Sequence, residues 1–258
     1  MIVRNRSHKI HRWKIGHFLF FPGCTFSLCL LLSLSSRGQD QQLWLEHQLS
    51  YPFGGQFLLE NTTAYQTLLN PNEKWRSINI SPAFEYVLQT RIELVSELPI
   101  GYTVQKDGVS TFELMPMVGA RFHLTQNKRI DTRVLWRYQF RYFHQIEEED
   151  WDISNRTRLR AEAFISLNGP NLFTDKLWYL FLDYEEFIVL DQQMEERYAN
   201  RRRARIGVGY RFNYKHRLDL GYTWQSSRNE IEGNFISNDG VIQLKYKLYL
   251  NPATPQEN

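Results

Sequence analysis

A strict two-residue alternation of polar and apolar side chains is the feature that most limits the folds open to this chain. Between Asn200 and Phe212, every second position holds arginine or glycine, and most positions between them are apolar. Because side chains along a β-strand point to opposite faces in turn, this pattern predicts a strand with one polar and one apolar face. The alternation resumes after residues 213–215 and continues to Gln225, which predicts an antiparallel hairpin with a short turn.

Segments of the same kind follow one another along residues 39–250, which predicts a single all-β domain. Short turns alternate with longer polar loops, and several segments reach the roughly 9–11 residues that a tilted membrane strand needs. We therefore predict an antiparallel, up-and-down transmembrane β-barrel over residues 39–250, followed by a disordered tail at 251–258. Eleven candidate strands can be counted. Bacterial single-chain barrels have even strand numbers, which favours about twelve strands, with ten as the alternative.

The first 38 residues have the order of a secretory signal peptide, with a basic region, an apolar run at 18–34 and small residues after it. Cleavage is expected near Gly38, and an uncleaved signal anchor is the alternative. Export through a cleaved signal peptide agrees with an expected location in the bacterial outer membrane. Both cysteines, Cys24 and Cys29, lie within this segment. The mature chain would therefore have no disulfide, thiol nucleophile or cysteine-ligated metal.

The positions of the aromatic residues distinguish a membrane barrel from a soluble lipocalin-like barrel, whose apolar face would point inward. In the hairpin described above, Tyr210 and Phe212 lie near the turn, whereas Val208 and Leu220 lie deeper in the wall. Aromatic residues at both interfaces with aliphatic residues between them form the girdles of outer-membrane barrels. A soluble core has no reason to sort apolar residues by depth, so we expect Val208 and Leu220 to face lipid.

Three prolines lie within the predicted wall strands, at Pro82, Pro99 and Pro116. Each proline removes one backbone donor from the hydrogen-bond ladder, and a closed barrel has no edge strand on which to place it. We therefore expect local bulges at these three positions.

The strand ends resemble those of a known outer-membrane family. Residues 200–213, Asn-Arg-Arg-Arg-Ala-Arg-Ile-Gly-Val-Gly-Tyr-Arg-Phe-Asn, are similar to the family's strand ends, which are rich in the same residue types, and Tyr184-Glu185-Glu186-Phe187 also fits. The family is the domain of unknown function 2490, common in Gram-negative bacteria of the Bacteroidetes type. The resemblance covers the mature chain and implies an outer-membrane β-barrel. It implies no activity, and it carries over no catalytic residues.

The polar face of the predicted wall carries a ladder of charged residues, which is the candidate functional site. One interpretation is a lumen that passes or binds an anionic solute, and the other is cross-strand ion pairing that fills a narrow barrel. Charges that face one another away from bulk water must be paired, which favours the second. In that case, Arg158 and Arg203 would pair with acids such as Asp183 and Glu185. The ladder comprises Arg133, Arg137, Arg141, Arg156, Arg158, Arg160, Asp183, Glu185, Arg201, Arg203 and Arg205.

No motif in the mature sequence indicates catalysis. The four histidines show no His-x-x-x-His spacing, and no nucleophile-elbow motif is present. We therefore predict no catalytic, cofactor-binding or metal-binding residues and no enzyme activity. A membrane-embedded enzyme acting on lipid is one alternative, and a soluble ligand-binding barrel in the periplasm is the other.

The expected role is structural, or that of a porin-like channel or transporter for small solutes. A net charge of only +3 gives no reason to expect a strongly polyanionic partner such as nucleic acid. The expected partners are outer-membrane lipid and lipopolysaccharide. A small anionic solute is the ligand that the arginine-rich face would suit, and the sequence leaves the oligomeric state undetermined.

Overall fold

The computed structural model of the chain describes residues 40–69, 75–104, 110–126, 128–146, 151–190, 202–227 and 236–250. The predicted signal peptide and the predicted C-terminal tail lie outside the described residues. Within the described residues, no helix is long and apolar enough to cross a membrane.

The described part of the chain forms thirteen β-strands in a single sheet. They are β1 (Asp40–Phe53), β2 (Phe57–Leu68), β3 (Arg76–Gln89), β4 (Ile92–Glu97), β5 (Ile100–Val104), β6 (Ser110–Leu114), β7 (Met117–Thr125), β8 (Ile130–Gln145), β9 (Trp151–Ser166), β10 (Leu177–Val189), β11 (Arg202–Arg211), β12 (His216–Ser227) and β13 (Ile236–Tyr249).

The sheet closes into a barrel with eleven wall positions. β4 and β5 share one position and β6 and β7 share another, because each pair is one long strand interrupted near a proline. Wall positions that follow one another along the chain are antiparallel neighbours, so the predicted all-β, up-and-down barrel is confirmed. The prediction of twelve strands, or ten, was wrong.

Parallel pairing between β1 and β13 closes the barrel, with Leu45 opposite Leu244. In an up-and-down order with an odd number of wall positions, the first and last strands run in the same direction. The closing pair must then be parallel, so the sheet is mixed and not purely antiparallel as predicted.

The three prolines interrupt hydrogen bonding without shifting the register. Ala83 is opposite Glu97 on one side of the Pro99 interruption, and Ile80 is opposite Ile100 on the other, which is one continuous register. Each proline carbonyl still accepts a bond from the next strand, in the pairs Leu98 N–H to Pro82 O, Met115 N–H to Pro99 O and Phe140 N–H to Pro116 O.

The prediction of bulges at Pro82, Pro99 and Pro116 was therefore wrong. A proline lacks only its own N–H donor, so the ladder loses one bond and needs no extra residue. Among the described strands, the register shifts occur elsewhere, at Val87/Gln89, His123/Thr125 and Gln225/Ser226.

Most polar side chains point into the barrel, and most large apolar side chains point away from it. Along β10, Tyr179 and Glu185 are buried, whereas Trp178 and Tyr184 are nearly half exposed. Among the described residues, eighteen buried side chains are polar or charged and ten are hydrophobic. This is the inverse of the usual interior of a soluble protein, where the fully buried residues are mostly apolar.

Short connections lie at one end of the barrel. Tight turns at 54–56, 90–91 and 212–215 lie at the end where β1 and β13 finish, together with the ordered connection 167–176. In the first of these turns, Gly54 and Gly55 have φ values of +59° and +72°, a conformation that glycine adopts without steric cost. We refer to this end as the turn end.

Candidate functional site

Glu185 is the centre of a chain of charges inside the barrel. Its side chain is almost fully buried, and its Oε1 lies 2.8 Å from Arg137 Nη2 and 2.8 Å from Arg158 Nη2. Arg137 uses its other terminal nitrogen to donate to Glu97 Oε2 at 2.9 Å. Side chains from β4, β8, β9 and β10 thus share one network, because the alternation of each strand turns these positions inward.

Glu162 joins two further arginines, one to each of its two oxygens. Its carboxylate accepts a hydrogen bond from Arg133 Nε, and Arg160 Nε lies 2.9 Å from its other oxygen. Arg133 also stacks over Phe164, with the guanidinium carbon 4.6 Å from the ring centroid. The carboxylate is buried, so its charge depends on these two partners for stabilisation.

Arg121 holds two acids on the neighbouring part of the wall. It donates to both oxygens of Glu85 at 2.7 Å, which is a bidentate pair, and to Glu93 Oε2 at 2.6 Å. His123 Nε2 lies 3.1 Å from the other oxygen of Glu93. Bidentate arginine–carboxylate contacts fix geometry as well as charge. This group therefore ties β3, β4 and β7 together across the proline-containing part of the wall.

The network continues across the parallel seam between β1 and β13. Arg205 donates to Asp183 Oδ2 at 2.6 Å and to Gln243 Oε1 at 2.9 Å. The amide of Gln243 donates in turn to Glu46 Oε1 at 2.6 Å, and Lys245 Nζ lies 3.4 Å from Glu46 Oε2. Polar contacts therefore support the closing strand pair from inside the barrel.

Three more residues of the predicted ladder point inward. Arg141 donates to Glu113, Arg156 Nε donates to Gln139 Oε1 at 2.6 Å, and Arg203 Nε donates to Gln225 Oε1 at 2.5 Å. The guanidinium of Arg203 also lies over the rings of Trp44 and Phe187. Arg201 lies outside the described residues.

The register of the strands determines how the arginines and acids of the predicted ladder are arranged. Arg158 forms an ion pair with Glu185, as the sequence predicted. Arg203 is directly opposite Glu185 on the neighbouring strand, and its Nε donates to Gln225 Oε1. Asp183 pairs with Arg205, the residue directly opposite it on β11. The alternation indicated the face on which each residue lies, but it did not fix which residues are opposite one another.

Several residues of the interior network are absent from the predicted ladder. Glu85 and Arg121 lie at inward positions that the alternation of β3 and β7 marks in the same way as the arginine strands. Glu46 and Lys245 are far apart in sequence and become neighbours only through closure of the barrel. The pairing of Glu46 with Lys245 therefore could not have been found from the sequence, whereas the inward positions of Glu85 and Arg121 could.

The charged interior offers ion pairing and hydrogen bonding as its chemistry. Within the described residues, no group of three or more histidine, cysteine, aspartate or glutamate side chains could hold a metal ion. His216 Nδ1 lies 2.6 Å from the Tyr246 hydroxyl, and His47 stacks on the same tyrosine ring. These side chains belong to outward-facing positions of β1, β12 and β13, away from the interior network.

Comparison with known proteins gives one match. The chain matches the model of a family described as "Protein of unknown function (DUF2490)" over residues 41–235, a span that begins in β1 and ends just before β13. No curated protein and no solved structure matches the chain.

Proposed function

The chain belongs to the DUF2490 family, and from that premise we propose that it is a bacterial outer-membrane β-barrel whose interior is narrowed by paired charges. The observation that carries the proposal is the inverted polarity of the barrel, with arginine–carboxylate networks inside and large apolar side chains on the outer wall. A closed barrel satisfies every strand's backbone groups internally, which is the condition for crossing hydrocarbon with strands.

The dimensions of the wall support the same proposal. β8 and β9 each have 16 residues, more than the roughly 9–11 that a tilted membrane strand needs. A soluble ligand-binding barrel would need the opposite arrangement, with its apolar face lining the cavity. The outer wall instead exposes residues such as Ile78, Val118 and Leu159, each about half exposed.

The contents of the interior favour a structural role, or a narrow path for small solutes, over a general diffusion pore. About eight strands give an interior that side chains just fill, whereas porins with about sixteen leave an aqueous channel. Eleven wall positions lie between these limits. Long side chains occupy that space in pairs, and Leu177, Tyr179 and Phe181 form a buried apolar cluster towards the turn end.

The test measures detergent dependence, gel migration and planar-bilayer conductance on one preparation of refolded protein. We expect β-rich protein that needs detergent and migrates differently on gels before and after boiling, as closed membrane barrels do. In planar bilayers, we expect no large, stable, porin-like conductance. The boiled sample is the matched control for the gel. A monomer freely soluble without detergent would contradict the membrane proposal, and porin-sized conductance would contradict the narrowed interior.

A further inference from the structure

Three inward-facing cations lie side by side on adjacent strands at the turn end. Arg211 of β11 is directly opposite Arg217 of β12, and Arg217 is directly opposite Lys247 of β13. Like charges directly opposite one another destabilise a sheet unless something neutralises them. These three residues, the turn-end row, therefore need nearby negative charge to neutralise them.

A second pair of opposed arginines shows how this barrel meets that need elsewhere. Arg137 of β8 is directly opposite Arg158 of β9. There, the buried carboxylate of Glu185 lies between them, with one oxygen 2.8 Å from each guanidinium. A carboxylate oxygen thus bridges the two arginines and neutralises the repulsion between them.

The acids near the turn-end row are arranged differently. Asp219 is occupied, because Lys247 Nζ lies 2.9 Å from one of its oxygens and the Tyr179 hydroxyl donates to the other. Asp175 lies 3.6 Å from Arg211 Nε, and its side chain is 57% exposed. An ion pair at that distance and exposure contributes little. Neither acid bridges Arg211 and Arg217 as Glu185 bridges its pair.

Both arginines carry buried donors that have no acceptor. The Nε atoms of Arg211 and Arg217 are buried without a hydrogen-bond partner among the described residues, as is that of Arg137 in the bridged pair, so what sets Arg211 and Arg217 apart is the lack of a bridging carboxylate. The side chain of Arg211 is only 6% exposed, and its Nη1 donates to the Leu172 carbonyl oxygen at 2.8 Å. The guanidinium of Arg217 lies 4.9 Å over the Tyr249 ring. Buried donors without acceptors are costly, and the cost is larger when the group is charged.

We propose that Arg211, Arg217 and Lys247 form a binding site for a phosphate-type oxyanion, carried by a small solute or by a lipid headgroup. Guanidinium groups present planar forks of donors that match the oxygens of phosphate, and an ammonium adds a point charge. The connection 167–176 lies beside the site through the Leu172 carbonyl, and the buried Leu177, directly opposite Arg211, provides an apolar wall. The bound oxyanion takes the bridging place that Glu185 fills at the other arginine pair.

The first test titrates inorganic phosphate into the purified full chain in a non-ionic detergent, against chloride at equal ionic strength. We expect one phosphate bound per chain and an unfolding temperature that rises with phosphate concentration. Arg217→Gln should weaken phosphate binding about tenfold or more, as expected for the loss of a charge-assisted hydrogen bond. In chloride alone, the same variant should be as stable as the native protein or more stable, because one of the opposed cations is gone.

Arg202→Gln is the matched control, because it makes the same change of charge on the same strand at an outward-facing position. It should bind phosphate as the native chain does. Arg217→Lys keeps the charge and removes the planar fork, so its affinity should lie between those of Arg217→Gln and the native chain. Phosphate affinity that is unchanged in Arg217→Gln would overturn the proposal. It would also be overturned if both Arg217 variants failed to fold, since the row would then be structural.

A second arm separates the two sources of the oxyanion. The protein is reconstituted in phosphatidylcholine vesicles with or without phosphatidic acid, in phosphate-free buffer. Stabilisation by phosphatidic acid that is lost in Arg217→Gln assigns the site to a lipid headgroup, whereas stabilisation by inorganic phosphate alone assigns it to a small solute. The absence of both effects would overturn the oxyanion site and leave the membrane proposal standing, because localisation and heat-dependent migration do not depend on it.

Discussion

Glu185 and Glu186 show how strongly one step along a strand changes the physics of the same side chain. Glu185 is 3% exposed and lies between Arg137 and Arg158. Glu186 points away from the interior and pairs with Arg202, whose side chain is 46% exposed. Removing one partner of a buried ion pair leaves an uncompensated charge, whereas an exposed pair is screened by solvent.

This contrast gives a paired prediction. Glu185→Gln should lower the free energy of unfolding by about 3–5 kcal/mol, because two buried arginines lose their shared carboxylate. Glu186→Gln, the matched control, should cost about 0–1 kcal/mol. Denaturant unfolding of both variants, refolded under identical conditions, would measure the difference. Small and equal effects would mean that water screens the interior charges, and would favour an open ionic path over a narrowed barrel.

At the scale of the strand, the closing pair is the feature that the sequence predicted least well. The eleven candidate strands counted from alternation correspond to the eleven wall positions. The predicted even number of strands was wrong. Alternation describes one strand at a time and carries no information about which strand pairs with β1. The expectation of an even number came from the general rule for bacterial single-chain barrels. This barrel departs from that rule, because an odd number of wall positions makes β1 and β13 pair in parallel.

The same limit explains why the sequence predicted the faces of the candidate-site residues but not their pairings. Alternation placed Arg158, Glu185 and Arg205 on the polar face, and the structure turns all three inward. Register decides which of them meet, and register depends on the lengths of the connections. Asp183 is therefore directly opposite Arg205 and pairs with it, whereas Arg203, two residues away on the same face, is directly opposite Glu185. Contacts across the seam, such as Lys245 with Glu46, require closure before they can exist.

The parallel closure predicts a specific cross-link. Leu45 and Leu244 are directly opposite one another, so Leu45→Cys combined with Leu244→Cys should form a disulfide on mild oxidation, in a chain whose Cys24 and Cys29 are replaced by serine. Leu220 is opposite Leu244 on the next strand, so the control pair Leu45→Cys with Leu220→Cys spans two strand spacings. That is about 10 Å, beyond the roughly 7 Å limit for a disulfide. Cross-linking of the control pair alone, read as a shift on non-reducing gels, would contradict the closure.

At the scale of the whole molecule, the apolar outer wall has a different meaning in water and in lipid. In water, large exposed apolar surfaces mark interaction sites or aggregation hazards. In a bilayer, the same wall is the solvent-facing surface, and the cost of a charge on it depends on depth. Leu220 and Phe212 belong to the same hairpin and have almost equal exposed fractions, 44% and 46%. Leu220 lies within β12 opposite Val208, and Phe212 lies at the turn.

Arginine substitutions at these two positions therefore test the environment of the entire barrel. In lipid vesicles, Leu220→Arg should lower the free energy of unfolding by about 2–4 kcal/mol, as near a bilayer midplane, whereas Phe212→Arg should cost about 0–1 kcal/mol near the interface. Each is compared with the alanine variant at its own position, which removes the packing contribution. In a soluble barrel, both sites would be ordinary exposed surface, where substitutions usually change stability by no more than about 0.5 kcal/mol. Equal costs at the two depths, measured by tryptophan fluorescence during denaturant unfolding, would show that this wall does not face lipid.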